Sequence, residues 1–264
     1  MARIRVGVGG WVFPPWRGVF YPPGLAQARE LEHASRRLTA IEINGTFYGA
    51  QKPESFRRWH DATPDDFMFS VKGPRFATHR RDLAAAGPSV ERFLGGGVLE
   101  LRDKLGPILW QFPPTTRFDE GGFEAFLALL PAERDGRKLR HVVEVRHESF
   151  ATAAFIALLR RHQVAAALVD SDKHPMLADA TADFVYARLR RTVASEPAGY
   201  PAAALDAWAE RFRQWAAGSE PSDLPHCHPE PASAAPRDCF VYFISGAKEH
   251  NPAAAEAMLQ RLAV

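Results

Sequence analysis

A chain of 264 residues that is 46% hydrophobic and 24% charged has the size and composition of a soluble globular protein of one domain. Its formal net charge of +2 is too small to indicate a nucleic-acid partner by itself, and two cysteines, Cys227 and Cys239, cannot form a disulfide framework. No stretch approaches the ~18 apolar residues of a membrane span. The start of the chain shows no apolar signal segment, so no membrane partner is expected and a reducing, cytoplasmic setting is the expected one.

In chain order, apolar runs with two-residue alternation predict strands at 4–10, 40–44, 67–72, 107–112, 141–146, 164–170, 184–189 and 239–244. Helical spacing between them marks Ser55 to His60, Pro88 to Asp103, Gly122 to Leu130, Thr152 to Arg161, Ala202 to Ala216 and Pro252 to Leu262. Repeated strand–helix alternation means parallel strands with crossover helices, and eight such strands fit a closed barrel. The expected fold class is therefore α/β, a single (β/α)8 TIM barrel spanning 1–264. The connection from 170 to 183 is too short and too proline-punctuated for a full helix, which predicts an irregularity around the sixth and seventh strands. The Pro-, Ser- and Ala-rich stretch at about 218–238 reads as a loop insertion. Asn251 fits an N-cap for the last helix, with Pro252 at its first position.

The strand ends carry the chemistry. Glu42, Lys72, Gln111, Glu144, Asp170 and Arg188 each stand near the C-terminal end of an apolar segment, at one alternation parity. Burying charges costs several kcal/mol per ion unless they are paired or solvated, so six such ends point to a shared polar cavity. In a parallel barrel that cavity opens at the C-terminal face. One reading makes Glu42 and Glu144 acid/base groups with Lys72 and Arg146 as electrostatic partners. The other makes them an ion network that only holds the barrel together.

Basic residues follow several strand ends: Lys72, Arg75, His79, Arg80 and Arg81; Arg146 and His147; Arg188, Arg190 and Arg191; and Lys248. Loops after the last two strands often bind phosphate in this architecture, and Ser245-Gly246-Ala247-Lys248 is small enough for backbone N–H groups to approach an anion. An anionic ligand, a phosphate, phosphodiester or carboxylate, follows as the expectation; a solvated basic rim is the alternative. Trp11, Phe13 and Trp16 after the first strand, and Phe47 and Tyr48 after the second, either stack on a ligand at the rim or pack beneath the loops. Trp11 shares the parity of Gly7 and Gly9 and is the aromatic expected to line the cavity. The Gly7-x-Gly9-Gly10 run lacks the spacing of a dinucleotide fingerprint.

No metal is assigned. Glu42, Glu144, Asp170, His79 and His147 are suitable ligand types for a divalent ion, but they lack a short His-x-His or His-Glu-x-x-His spacing. His226-Cys227-His228 lies in a Pro/Ser-rich loop with no fourth zinc ligand nearby.

These same residues resemble the motifs of the YecE-like family, domain of unknown function 72. Gly7-Val8-Gly9-Gly10-Trp11 resembles its opening segment, and Trp16-Arg17-Gly18-Val19-Phe20-Tyr21-Pro22 its W-R-G-x-F-Y-P segment. Glu42-Ile43-Asn44-Gly45-Thr46-Phe47-Tyr48, Phe69-Ser70-Val71-Lys72-Gly73-Pro74-Arg75 and Lys104-Leu105-Gly106-Pro107 through Pro114 continue the match. Val143-Glu144-Val145-Arg146-His147 and Phe184-Val185-Tyr186-Ala187-Arg188 complete it. The resemblance implies a TIM barrel and no particular activity. One block departs: the family commonly has Asn-Asn where Ile244-Ser245 follows Tyr242-Phe243, which with the 218–238 segment suggests a divergent subgroup.

The functional expectation is an enzyme, a hydrolase or isomerase, acting on a phosphorylated or nucleic-acid-derived anion at the barrel mouth. Glu42, Lys72, Glu144 and Arg146 are the catalytic candidates. Asn44 and Gln111 would orient substrate, and Arg188 and Lys248 would hold its anionic group. Trp11, Tyr48, His79, His147, Asp170 and Tyr186 complete the binding set, with no cofactor expected. The alternative is a non-catalytic protein that binds nucleic acid or a small anion.

Overall fold

The computed structural model describes residues 2–263. Eight parallel strands close into a barrel: β1 (Ile4–Gly9), β2 (Ala40–Ile43), β3 (Met68–Lys72), β4 (Leu105–Gln111), β5 (His141–Glu144), β6 (Ala165–Asp170), β7 (Phe184–Leu189) and β8 (Asp238–Phe243), with β8 pairing back onto β1. A two-stranded ribbon, Glu133–Arg134 with Arg137–Lys138, decorates the approach to β5. The eight predicted strands all form, within two residues at most ends.

The helices are α1 (Glu30–Ser35), α2 (Gly45–Tyr48), α3 (Pro53–Asp61), α4 (Arg75–Thr78), α5 (Gly87–Leu94), α6 (Glu120–Leu127), α7 (Ala153–His162), α8 (Ala202–Ala217) and α9 (Asn251–Leu262). The single helix expected from Pro88 to Asp103 is two pieces. Gly95-Gly96-Gly97 ends α5, Gly97 takes the left-handed conformation (φ 104°), and a 3-10 segment, Val98–Lys104, follows. Asn251 does not cap α9; it lies inside the helix, where its side-chain oxygen accepts the Thr192 hydroxyl at 2.8 Å. Asp170 and Phe184 are joined by 13 residues (171–183) containing neither helix nor strand, which is the irregularity the sequence foretold. None of the described helices is long and apolar enough to cross a membrane.

Alternation sorts the strands into two apolar layers. Val6, Val8, Ile41, Phe69, Val71, Trp110, Val143, Leu168, Val185 and Val241 face the helices. Ala40, Leu109, Val142, Ala167, Phe184 and Phe240 fill the barrel floor. Above that floor, Tyr242 shares a 2.6 Å hydrogen bond with Ser70 and lies 5.2 Å from Tyr186, ring to ring. The β3–β4 ladder slips between Phe69 and Val71, where β4 contributes an extra residue at Gly106-Pro107. Proline has no N–H to give the ladder, so it belongs at such a slip. The slip sets the parity that turns Leu109 and Gln111 inward and Trp110 outward.

Much of the family-like sequence is packing. Trp16 and Tyr21 are buried, the Trp16 indole donates to the Lys248 carbonyl at 2.9 Å, and the Tyr21 hydroxyl donates to the Trp11 carbonyl at 2.5 Å. Arg17 reaches the fully buried Glu30 at 2.7 Å. Lys104 donates to the carbonyls of His60 and Thr63 at 2.6 and 2.7 Å.

His141 gives the outer layer a pH dependence. It accepts the Trp110 indole N–H on Nδ1 (3.1 Å), which leaves Nε2–H to donate to the Pro131 carbonyl (2.9 Å). Burial pushes its pKa down from 6.5 to about 4, so the folded protein holds it neutral. A depressed value means the unfolded chain takes up the proton first as pH falls. Folding stability should therefore be full above pH 6.5 and decline between pH 6.5 and about 4, by on the order of 3 kcal/mol from this group. Denaturant titrations across that window should show the decline in the wild type and lose this component in His141→Asn. An equal slope in both would rule His141 out as its source.

Candidate functional site at the C-terminal mouth

The inward parity of β2, β5 and β7 brings Glu42, Glu144 and Arg188 together near the strand ends, with Tyr186 one inward step below Arg188. Arg188 lies between the two carboxylates, donating from Nε and Nη2 to Glu42 at 3.1 and 3.0 Å, and from Nη1 to Glu144. The Tyr186 hydroxyl donates to Glu42 at 2.6 Å. Gln111, opposite Glu144 in register, donates to it at 2.9 Å, and Arg146 does so at 2.8 Å. Both carboxylates are inaccessible to solvent. Burial alone would raise the Glu144 pKa, but Arg188, Arg146 and the Gln111 hydrogen bond hold it well below the usual carboxylate range. Both carboxylates thus meet the Arg188 guanidinium in a closed bridge, and the guanidinium is spent within it. Arg188 is therefore not a free anion holder.

Lys72 differs from its neighbours. It is 5% exposed, its ammonium lies 3.7 Å from the Phe47 ring centre, and among the described residues no carboxylate is within salt-bridge distance of it. Burial, then the adjacent Arg188, lowers its pKa from 10.5 to about 8, with Glu42 and Glu144 opposing. His79 packs its ring 5.3 Å from the same Phe47 ring, and its pKa is lowered by burial, Lys72 and Arg146. Asn44 is half-buried beside Gly9 and Ile244 at the tops of β1 and β8.

Five expected ligand-binding residues lie elsewhere. Asp170 faces outward, because β6 turns Ala165, Ala167 and Val169 inward; its carboxylate accepts the Tyr200 hydroxyl at 3.0 Å and pairs with Arg191 at 3.2 Å. Its polarity suggested the cavity, but this strand presents small apolar residues inward. Trp11 does not continue the parity of Gly7 and Gly9. Gly10 takes a positive φ of 73° and redirects the chain, and the indole packs edge-on against Trp59 and Phe69. Lys248 lies over the Phe13 ring at 4.1 Å instead of beside Arg188. Tyr48 is 68% exposed and touches Phe47 from outside. His147 accepts the Ser149 amide at 3.1 Å and caps the short turn after β5.

Two mouth residues were not singled out from sequence as site residues. Arg190 follows Arg188 two residues on and has Nε and Nη1 buried without a partner among the described residues; its side chain bonds only through Nη2, at 3.4 Å to Ser245 Oγ. His174, in the irregular β6–β7 connection, has a buried and unpartnered Nδ1, and its pKa is lowered by burial, Arg146 and Arg190. No local pattern marks a histidine in an irregular loop. Arg190 did carry a signal, the two-residue step beyond Arg188. Among the described residues no three His, Cys, Asp or Glu side chains cluster as a metal site; His226 instead bonds the Pro221 carbonyl at 2.7 Å.

Four cations, Lys72, Arg146, Arg188 and Arg190, thus meet two carboxylates in the throat of a closed parallel barrel, which defines a TIM-barrel protein with a cation-rich mouth. The family model described as "Protein of unknown function DUF72" matches residues 5–264, and the chain belongs to that family. It is 32% identical over 150 residues to the UPF0759 protein YecE of Escherichia coli K12, covering 56% of this chain and 50% of that protein. The chain thus matches about half the length of this curated relative. Its fold is similar to that of DUF72 family proteins from Thermotoga maritima MSB8 (TM-score 0.74, 20% identity, 99% of both chains) and Enterococcus faecalis V583 (TM-score 0.72, 16% identity, 100% of this chain and 99% of that one).

Proposed function

We propose that this protein is an enzyme performing general acid/base chemistry on a small phosphorylated or nucleic-acid-derived anion at the barrel's C-terminal mouth. The observation that carries the reading is Lys72: a buried ammonium with no carboxylate partner among the described residues and a pKa of about 8, which suits proton exchange near neutral pH. Arg146 and Arg190 seat the anion. Glu42 and Glu144, locked on Arg188, fix the field of the throat. His79 and His174 border the reacting group.

Sulfate, whose charge is constant between pH 6 and 10, is the first probe. Raising the pH through about 8 neutralises Lys72, so sulfate affinity should fall across that point by calorimetry. Lys72→Met should flatten the profile, and Arg190→Met should weaken sulfate about tenfold or more. Turnover of nitrophenyl phosphate mono- and diesters by the wild type should drop at least about a hundredfold in Lys72→Met. The closed hydrogen bonding of both carboxylates favours a second reading, non-catalytic anion binding. It stands if sulfate binds as described and no ester is turned over. Absence of sulfate binding ends both readings.

A further inference from the structure

Beside the throat lies a cleft of about 800 Å³, between the turns after β6, β7 and β8 and the first half of α8. That volume is in the range of small-molecule pockets. Its walls include Met176, Val193, Ala204, Trp208 and Leu224, an apolar surface next to the charged throat. Val193 is 43% exposed.

The cleft and the throat share a wall. Arg190 lines the cleft and stands within electrostatic range of Arg188, Glu144 and Arg146. Ser245 lines it too, immediately after Ile244, which belongs to the barrel interior. Ser245 and Gly246 both have positive φ, 67° and 59°, and the turn is pressed onto Thr192, where a Cβ on Gly246 would come within 2.4 Å of the hydroxyl. A serine held in the left-handed region costs about 1 kcal/mol or more, so this turn is fixed by its packing. The other arginines of the cleft are engaged: Arg191 with Asp170 and Asp172, and Arg211 with Asp223 at 2.7 Å. Arg190 alone among these arginines has two buried nitrogens without acceptors, and it stands where charged throat and apolar cleft meet.

We infer that the cleft seats the apolar body of the ligand, so that the ligand class is a phosphate monoester of a ring-sized apolar alcohol. Its phosphoryl group lies against Arg190 at the throat and its body against Met176, Trp208 and Leu224. This inference rests on the anion reading of the mouth and adds what that reading leaves open, the part of the molecule that is not charged.

The test compares inorganic phosphate with phenyl phosphate by calorimetry at one pH. Burying one phenyl ring predicts that the wild type binds phenyl phosphate at least about tenfold more tightly than phosphate. Ala204→Phe, which fills the cleft from a half-buried position, should remove most of that advantage and leave phosphate affinity within about twofold. Val193→Ser, at an exposed position, should remove part of it, about threefold. Arg190→Met should weaken both ligands. Equal binding of the two ligands by the wild type, or an advantage that survives in folded Ala204→Phe, overturns the inference and leaves the anion reading standing. Failure of both ligands to bind the wild type overturns the anion reading and this inference with it.

Discussion

Arg188→Met should destabilise the fold by about 3–5 kcal/mol at pH 7, because it leaves two fully buried carboxylates without the cation between them. The sign of the pH dependence follows from Glu144. Its folded pKa is held below the ordinary 4.5, so in the wild type its contribution is complete above pH 4.5 and is lost as pH falls further, toward the folded value. In the variant the main opposing charge is gone and burial dominates, so Glu144 protonates earlier. The gap between the two proteins should be widest near neutrality and narrow below about pH 4.5. Adding Glu42→Gln and Glu144→Gln to Arg188→Met should recover much of the loss at pH 7. Denaturant midpoints at pH 7 and pH 4 decide it: an equal gap at both, or no gap at pH 7, would mean the bridge is not what holds the throat.

The second large effect lies lower in the β1–β2 ladder, with no charge involved. A Cβ on Gly7 would sit 1.7 Å from the Ala40 carbonyl oxygen and 2.6 Å from its carbon. Both are backbone atoms in the β1–β2 ladder, where Gly7 and Ala40 are register partners, so no side chain can rotate away. Gly7→Ala should therefore cost about 3 kcal/mol or more, at the upper end of overpacking effects. Gly121→Ala in α6 is the control, since nothing lies within 4 Å of its added Cβ and helix propensity favours alanine by up to about 1 kcal/mol. Urea midpoints that fall together in the two variants would refute the steric account.

Both predictions concern residues whose roles were legible to different depths. Glu42, Lys72, Gln111, Glu144 and Arg188 could be read as inward because each follows an apolar alternation that persists to the strand end. The same rule failed at Asp170, where alanines fill the inward positions and polarity no longer marks the cavity. It failed at Trp11 because a single positive φ at Gly10 cancels parity beyond the strand. Lys248 belonged to a plausible anion loop, yet its ammonium found the Phe13 ring, a contact between segments 235 residues apart. His174 and the cleft beside Arg190 depend on how an irregular connection folds over strand ends, for which local pattern carries no information.

The amino-acid order alone determined the eight strands, their parallel sense, their closure into a barrel and the end at which charge would collect. Periodicity and chain connectivity are local properties, and they suffice for that. Only the assembled barrel decided which charges cancel and which do not. Arg188 is consumed by two carboxylates that reach it from β2 and β5, whereas Lys72 and Arg190, equally basic in sequence, keep unsatisfied capacity. Pairing of buried charges is a matter of a few ångströms between strands far apart in the chain, and no spacing along the chain encodes it.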